Sequence, residues 1–212
     1  MKVLSNFTNA FFAVLLFVLF APIARSEGAD KSIADNEANN AIRRYTGSEF
    51  IPMNKALRTG QDITPEIKRK IEAMDHGLNK LPQYQGDTEG THLKRITELP
   101  DDMAKKGRGE IIHDPAYMST SKASLESSVA PGRHKLIILG KKGKPFCGAK
   151  DVSHLACVPG EKEVILPRGT SMKVIGKWKI PNKYGGPQKD IIFLKKPGLA
   201  DVVHEATQKS KK

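Results

Sequence analysis

The stretch Glu161-Lys162-Glu163-Val164-Ile165-Leu166-Pro167-Arg168-Gly169-Thr170 sets two carboxylates directly before an apolar run that stops at a proline. Val164, Ile165 and Leu166 have the character of a buried strand, and the Pro and Gly that follow supply a turn. The pattern predicts strands over 162–167 and 171–179. If Glu163 opens the first strand and Glu161 ends the loop before it, the alternation of strand side chains puts both carboxylates on one side. Such a pair suits glycosyl transfer. One carboxylate stabilises a developing oxocarbenium ion and holds a sugar hydroxyl, and the other orients or deprotonates the nucleophile. Taken alone, the pair reads first as a solvated strand face.

Working outward, further short strands are predicted near 91–96, 110–113, 116–119, 134–140 and 189–194, with Gly and Pro in the gaps. Two of them carry notable side chains. Ser119-Thr120-Ser121 stands at a strand end, where hydroxyls can fix a carboxylate rotamer without adding charge. Arg95, in Leu93-Lys94-Arg95-Ile96-Thr97, offers the planar fork that suits a phosphate. Glu89 lies nearby, but a carboxylate would repel a pyrophosphate.

The first half of the chain reads as helical. Ala38, Ala41, Ile42 and Tyr45 fall at helical spacing, with Gly47 as a stop. Ser48 is placed to cap a second helix that carries Phe50, Ile51 and Leu57 and ends before Gly60. A third is capped by Thr64, with Pro65 at its first position and Glu66 at the positive end of the dipole. Its stripe of Ile67, Ile71, Met74, Leu78 and Leu81 is a core face. A short helix is expected between Pro100 and Lys106, and residues 27 to about 36 are expected to be loose. Helices first and strands later indicate an α+β fold. No Gly-x-Gly-x-x-Gly follows a strand, so a Rossmann site is not supported.

Residues 1–26 have the grammar of a secretory signal peptide. Lys2 precedes the apolar run 11–20, and Ala24-Arg25-Ser26 offers a small-residue cleavage site. The run is shorter than the roughly 20 residues of a spanning helix. The expected mature chain, 27–212, is one domain with no transmembrane segment. Removing Lys2 and Arg25 takes the formal charge from +12 to +10. That charge, including the tail Gln208-Lys209-Ser210-Lys211-Lys212, draws the chain to acidic surfaces. Five of the eight Phe lie in the leader, so stacking platforms for single strands are scarce and no specific nucleic-acid partner is expected. In an exported protein, Cys147 and Cys157 are expected to form a disulfide, the alternative being two free thiols.

The order arginine, Ser-Thr-Ser strand, Glu-x-Glu resembles the arginine-serine-glutamate class of mono-ADP-ribosyltransferases, which includes many secreted bacterial toxins. Tyr45-Thr46-Gly47-Ser48 with Asn54-Lys55-Ala56-Leu57-Arg58 looks like the helical region of that class. Leu81 to Gly86 looks like its approach to the arginine strand, and Gly148 to Ser153 like the stretch before its substrate-recognition loop. Lys94 and Ile96 depart from the usual aromatic and glycine neighbours of the arginine.

The resemblance implies N-terminal helices followed by a split β-sandwich of the ADP-ribosyltransferase type. It implies NAD as substrate and no metal. Arg95 would contact the NAD phosphate and ribose, Ser119 would orient the catalytic Glu163, and Thr120 and Ser121 would shape the nicotinamide pocket. Glu161 would engage the acceptor, and a glutamate two before the catalytic one is the pattern of arginine modifiers. The expectation is therefore a secreted enzyme that moves ADP-ribose to an arginine of an unknown protein; entry into a host cell would take a delivery partner or another route. The rivals are an NAD glycohydrolase and a noncatalytic basic binding protein on a degenerate transferase fold.

Overall fold

The computed structural model describes residues 27–86, 92–123, 132–181 and 189–209. The leader 1–26, Glu89 and the end of the basic tail lie outside them. The described residues fall in two compact units. One runs up to Asn36, and of it only the first turns of a helix are described; the other, Glu37–Lys212, carries the sheet and the remaining helices.

Helix α1 spans Glu27–Arg44. It therefore includes the polar segment expected to be loose. No proline interrupts that segment, and each residue added to a formed helix gains a backbone hydrogen bond at little further cost. Nor does Gly47 end the helix. The chain passes through a π-helical turn, Tyr45–Glu49, straight into α2, Phe50–Thr59, and Ser48 caps nothing. Tyr45 explains the continuation. Its ring is fully buried, and its hydroxyl accepts a hydrogen bond from the Asn54 side chain at 3.0 Å. Burying an aromatic ring outweighs the roughly 1 kcal/mol that a glycine costs a helix.

The other helical expectations hold. Gly60 closes α2 in the left-handed conformation. Helix α3, Pro65–Lys80, is capped by the Thr64 hydroxyl, which accepts from the Ile67 amide. Ile71, Met74 and Leu78 are buried and Ile67 and Leu81 partly so, as the stripe required. A single turn, α4, covers Asp101–Ala104.

The eight strands are β1 His92–Thr97, β2 Ile111–Asp114, β3 Met118–Ser121, β4 His134–Leu139, β5 Lys150–Asp151, β6 Glu163–Leu166, β7 Thr170–Ile180 and β8 Lys189–Lys195. They form one sheet in the order β2-β7-β8-β4-β1-β3-β6-β5, and β4–β8 is a parallel pair. The sheet curls. Leu93, Leu136 and Ile192 from one half share a core with Met118, Val164 and Leu166 from the other. The halves join through a single pairing, Lys94 with Ser121, so β1 and β3 diverge on either side of it. This is the split of the expected sandwich, and the chain is α+β.

A second core lies between the helices and the β3–β6 end of the sheet, where Ile42, Tyr45, Met53 and Met74 meet Tyr117 and Ile165. Two elements were not foreseen. Strand β5, at two residues, is too short to show a period. A last helix, α5, Leu199–Lys209, carries Leu199, Val202, Val203 and Ala206 at helical spacing, a legible signal.

The expected disulfide is absent: Cys147 and Cys157 are free thiols. The chain between them folds back on itself, with the Leu155 and Ala156 amides on the Val152 carbonyl, and sends the two to different surroundings. Cys147 packs partly buried against the sheet core. Cys157 reaches the helices, where its amide donates to the Thr46 hydroxyl at 2.9 Å and its thiol to the Arg43 carbonyl at 3.0 Å.

Candidate active site

The Ser-Thr-Ser strand pairs with β6 so that Ser119 faces Ile165, Thr120 faces Val164 and Ser121 faces Glu163. Alternation puts Ser119 and Ser121 on the side of Glu163 and turns Thr120 away. Thr120 is buried, and its hydroxyl donates to the Val164 carbonyl at 2.5 Å. Ser119 donates to a Glu163 carboxylate oxygen. Ser121 donates to the Glu161 carbonyl at 2.6 Å and accepts from the Ala123 amide at 3.0 Å, so it shapes the backbone of the acidic turn.

Glu163 is 4% exposed. Burial is the main influence on its carboxyl and raises its pKa from 4.5 to about 7. The Ser119 hydrogen bond and Arg95 act downward, and the charge of Glu161 acts upward. A buried acid that titrates near neutrality is the kind of perturbed group found at functional sites.

Glu161 comes to this place by a different route from the one read in the sequence. It closes a 3-10 turn, Pro159–Glu161, and Lys162 follows in the left-handed region at φ 48°. Strand alternation is broken between the two glutamates. Glu161 is exposed, yet it remains within electrostatic reach of Glu163. The turn is fastened by the Glu161 and Lys162 amides to the Val158 and Pro159 carbonyls, and by the Lys122 amide to the Lys162 carbonyl. Just ahead of it, Val152 and Ser153 both donate to the Glu163 carbonyl.

Arg95 projects from β1 where the sheet splits, and its guanidinium donates to the Ser119 carbonyl at 2.5 Å. Desolvation lowers its pKa, offset by Tyr45, Asp114 and Glu163. The structure thus gathers Arg95, Ser119, Ser121, Glu161 and Glu163, while the Thr120 side chain is committed to the strand ladder.

Three residues that were given no role also belong to this neighbourhood. Asn54, 3% exposed, donates to Tyr45 and accepts from the Tyr117 amide at 3.2 Å, tying α2 to the start of the serine strand. Burial pushes the Tyr45 pKa up to about 12, and the tyrosine feels both Arg95 and Glu163. Arg58 grips Asp114 through two hydrogen bonds, of 3.1 and 2.9 Å, and its charge reaches Arg95. The available signal was a polar pair, Asn54 and Arg58, four apart on a helix whose neighbours Met53 and Ala56 are apolar. A cleft of about 350 Å³ lies behind the acidic turn, lined by Arg43, His154, Cys157 and Pro159 among others. It includes neither Arg95 nor Glu163.

Residues 24–196 match the ADP-ribosyltransferase exoenzyme family. A Mycobacterium avium protein named, provisionally, NAD(+)–arginine ADP-ribosyltransferase Mav is 32% identical over 147 residues, 68% of this chain and 16% of that protein. The NAD(+)–protein-arginine ADP-ribosyltransferase Tre1 of Serratia proteamaculans is 31% identical over 140 residues, 65% of this chain and 28% of that protein. The chain therefore spans well under a third of the length of these relatives. Among solved structures, exoenzyme S from Pseudomonas aeruginosa, bound to human 14-3-3 protein beta and carba-NAD, superposes with a TM-score of 0.59. It is 21% identical, and the match covers 84% of this chain and 92% of that one. At that identity the likeness speaks for the fold alone.

Proposed function

The chain belongs to the ADP-ribosyltransferase exoenzyme family, and from that premise we propose that it is a secreted mono-ADP-ribosyltransferase that moves ADP-ribose from NAD to a protein arginine. The observation that carries this reading is the buried Glu163 carboxyl held by the Ser119 hydroxyl, with a second glutamate within its field. The arginine acceptor is supported by Glu161 two residues before Glu163 and by the names of the relatives above.

In this reading Arg95 holds the NAD pyrophosphate and ribose, and Arg58 adds a second guanidinium whose charge Asp114 partly offsets. Ser121 shapes the nicotinamide end through the acidic turn, and Thr120 contributes through the strand rather than by contact. The Glu163 carboxylate holds the nicotinamide ribose and places negative charge where positive charge develops at the ribose carbon. The N-glycosidic bond breaks with its electron pair leaving on nicotinamide. A guanidinium nitrogen of the acceptor then bonds to that carbon and releases a proton. Glu161, exposed at the rim, orients that guanidinium and takes the proton.

Residues 1–26 act as a removable export signal, and 27–212 as the catalytic domain. A delivery partner brings the enzyme to its target cell. No described helix is long and apolar enough to cross a membrane.

The test is incubation with labelled NAD, with and without an arginine-like acceptor. Label on the acceptor supports transfer. Free ADP-ribose in both incubations would replace the reading with a glycohydrolase, and intact NAD would leave a noncatalytic binding protein.

A further inference from the structure

The sheet presents a second chemical surface, on strands β1, β4, β8 and β7. The registers line up Trp178, Ile191, Lys135 and Ile96 in one row across the four strands. The adjacent row holds Gly176, Phe193, Ile137 and Lys94. The opposite faces of the same strands already form the core, with Leu136, Ile138, Ile192 and Leu194 buried. A sheet with one covered face ordinarily turns polar residues to water on the other. Here the second face is branched and aromatic as well.

The Trp178 ring lies across Gly176, where a Cβ would come within 2.6 Å of it. It meets Phe193 edge-on, with ring centroids 4.7 Å apart. Even so, Trp178 remains 57% exposed, and Ile180 on the same strand 39%. None of the described strand positions on this face is acidic. His92, two positions before Lys94 along β1, is held below its usual pKa first by burial and then by Lys94 and Lys135, so the lysines act on one shared area.

We propose that this face docks on an anionic lipid surface, with Trp178 and Ile180 entering the headgroup boundary and Lys94 and Lys135 meeting the lipid charges. Tryptophan pairs a large apolar ring with a polar N–H and favours that boundary. Lysine is depleted from protein–protein interfaces, whereas a lysine near an anionic leaflet is drawn to its charge. The formal charge of +12 adds attraction over distance.

Trp178 is the chain's one tryptophan, so its emission reports this face alone. The apolar leader would carry the full chain to any vesicle, which makes sedimentation insufficient. The full chain is therefore mixed with phosphatidylcholine vesicles, with and without phosphatidylserine, and Trp178 emission and its quenching by brominated acyl chains are recorded. The expected result is a blue shift and quenching that require phosphatidylserine and are lost at high salt. The double variant Lys94→Glu/Lys135→Glu is expected to bind roughly tenfold or more weakly. Its melting curve checks folding, and the salt titration of the unaltered chain makes the same test without a substitution. Unchanged emission on vesicle binding, or an equal shift with neutral lipid, would overturn the proposal. So would a shift produced without lipid by raising the protein concentration, which marks an interface between copies, or by polyglutamate, which marks an acidic protein partner.

Discussion

Ser119 donates its hydroxyl hydrogen bond to Glu163, although the strand register pairs Glu163 with Ser121, two residues further on. The contact is diagonal. It leaves Ser121 to the Glu161 carbonyl, so one strand fixes the carboxyl of one glutamate and the backbone of the other.

Ser119→Ala removes a contact that lowers the Glu163 pKa while leaving its burial in place. The alkaline-rising limb of kcat/KM for NAD cleavage, expected near pH 7, should move to higher pH, and activity should return in part there. A profile with an unmoved midpoint would remove Ser119 from the control of Glu163.

Glu163→Gln should abolish both transfer and NAD hydrolysis while the protein stays folded. It also has a stability signature. The folded carboxyl titrates at about 7, against about 4.5 in the unfolded chain. Below pH 4.5 both states hold the proton. Between the two values the unfolded state ionises first, so stability falls as pH rises through the folded pKa. At about 1.4 kcal/mol per unit, the loss is on the order of 3 kcal/mol. The neutral glutamine escapes it. The variant's melting temperature relative to the parent should therefore climb between pH 4.5 and pH 8, and a constant difference would contradict the buried-acid description.

Glu161→Gln should separate the two activities. A guanidinium must be placed and relieved of a proton, whereas water needs little orientation. Arginine labelling should collapse while NAD hydrolysis stays measurable. Equal loss of both would assign Glu161 to NAD cleavage or to the shape of the turn.

Asn54→Ala strands the buried Tyr117 amide, while the Tyr45 hydroxyl loses one bond and keeps its donation to the Tyr117 carbonyl at 3.4 Å. Stranding buried polar groups costs about 1–3 kcal/mol each. A loss of about 2 kcal/mol or more is expected by denaturant titration, together with weaker NAD cleavage because the serine strand loses its tie to α2. A loss under half of that would show the contact to be dispensable.

The two thiols should differ. Cys157 is exposed, whereas burial raises the Cys147 pKa and shields it. Brief iodoacetamide treatment of the native protein should label Cys157 first, and intact mass without reductant should show two free thiols. Labelling in the reverse order would contradict the packing.

Much was legible in the chain itself. The helix stop at Gly60, the helix start at Thr64, the stripe on α3, most strands and the acid pair are all local patterns. They depend on backbone period, capping chemistry and turn residues that lie within a few positions of one another. The continuation of helix through Gly47 was not legible, because it is decided by Tyr45 packing against Tyr117, 72 positions away. The thiols misled for the same reason. Composition and compartment argue for pairing, but bond formation needs proximity, and the fold of 148–156 sends Cys157 to Arg43 and Thr46.

The identities of Arg95, Ser119, Glu161 and Glu163 and their order along the chain were determined by sequence alone. Tertiary structure decided what each can do. Register turned Ser119 and Ser121 toward Glu163 and Thr120 away from it. A left-handed Lys162, rather than strand alternation, left Glu161 within electrostatic reach of Glu163. Burial brought the Glu163 carboxyl toward neutrality. Alternation, desolvation and electrostatic reach depend on which distant segments close around a residue, and no local pattern of side chains encodes that enclosure.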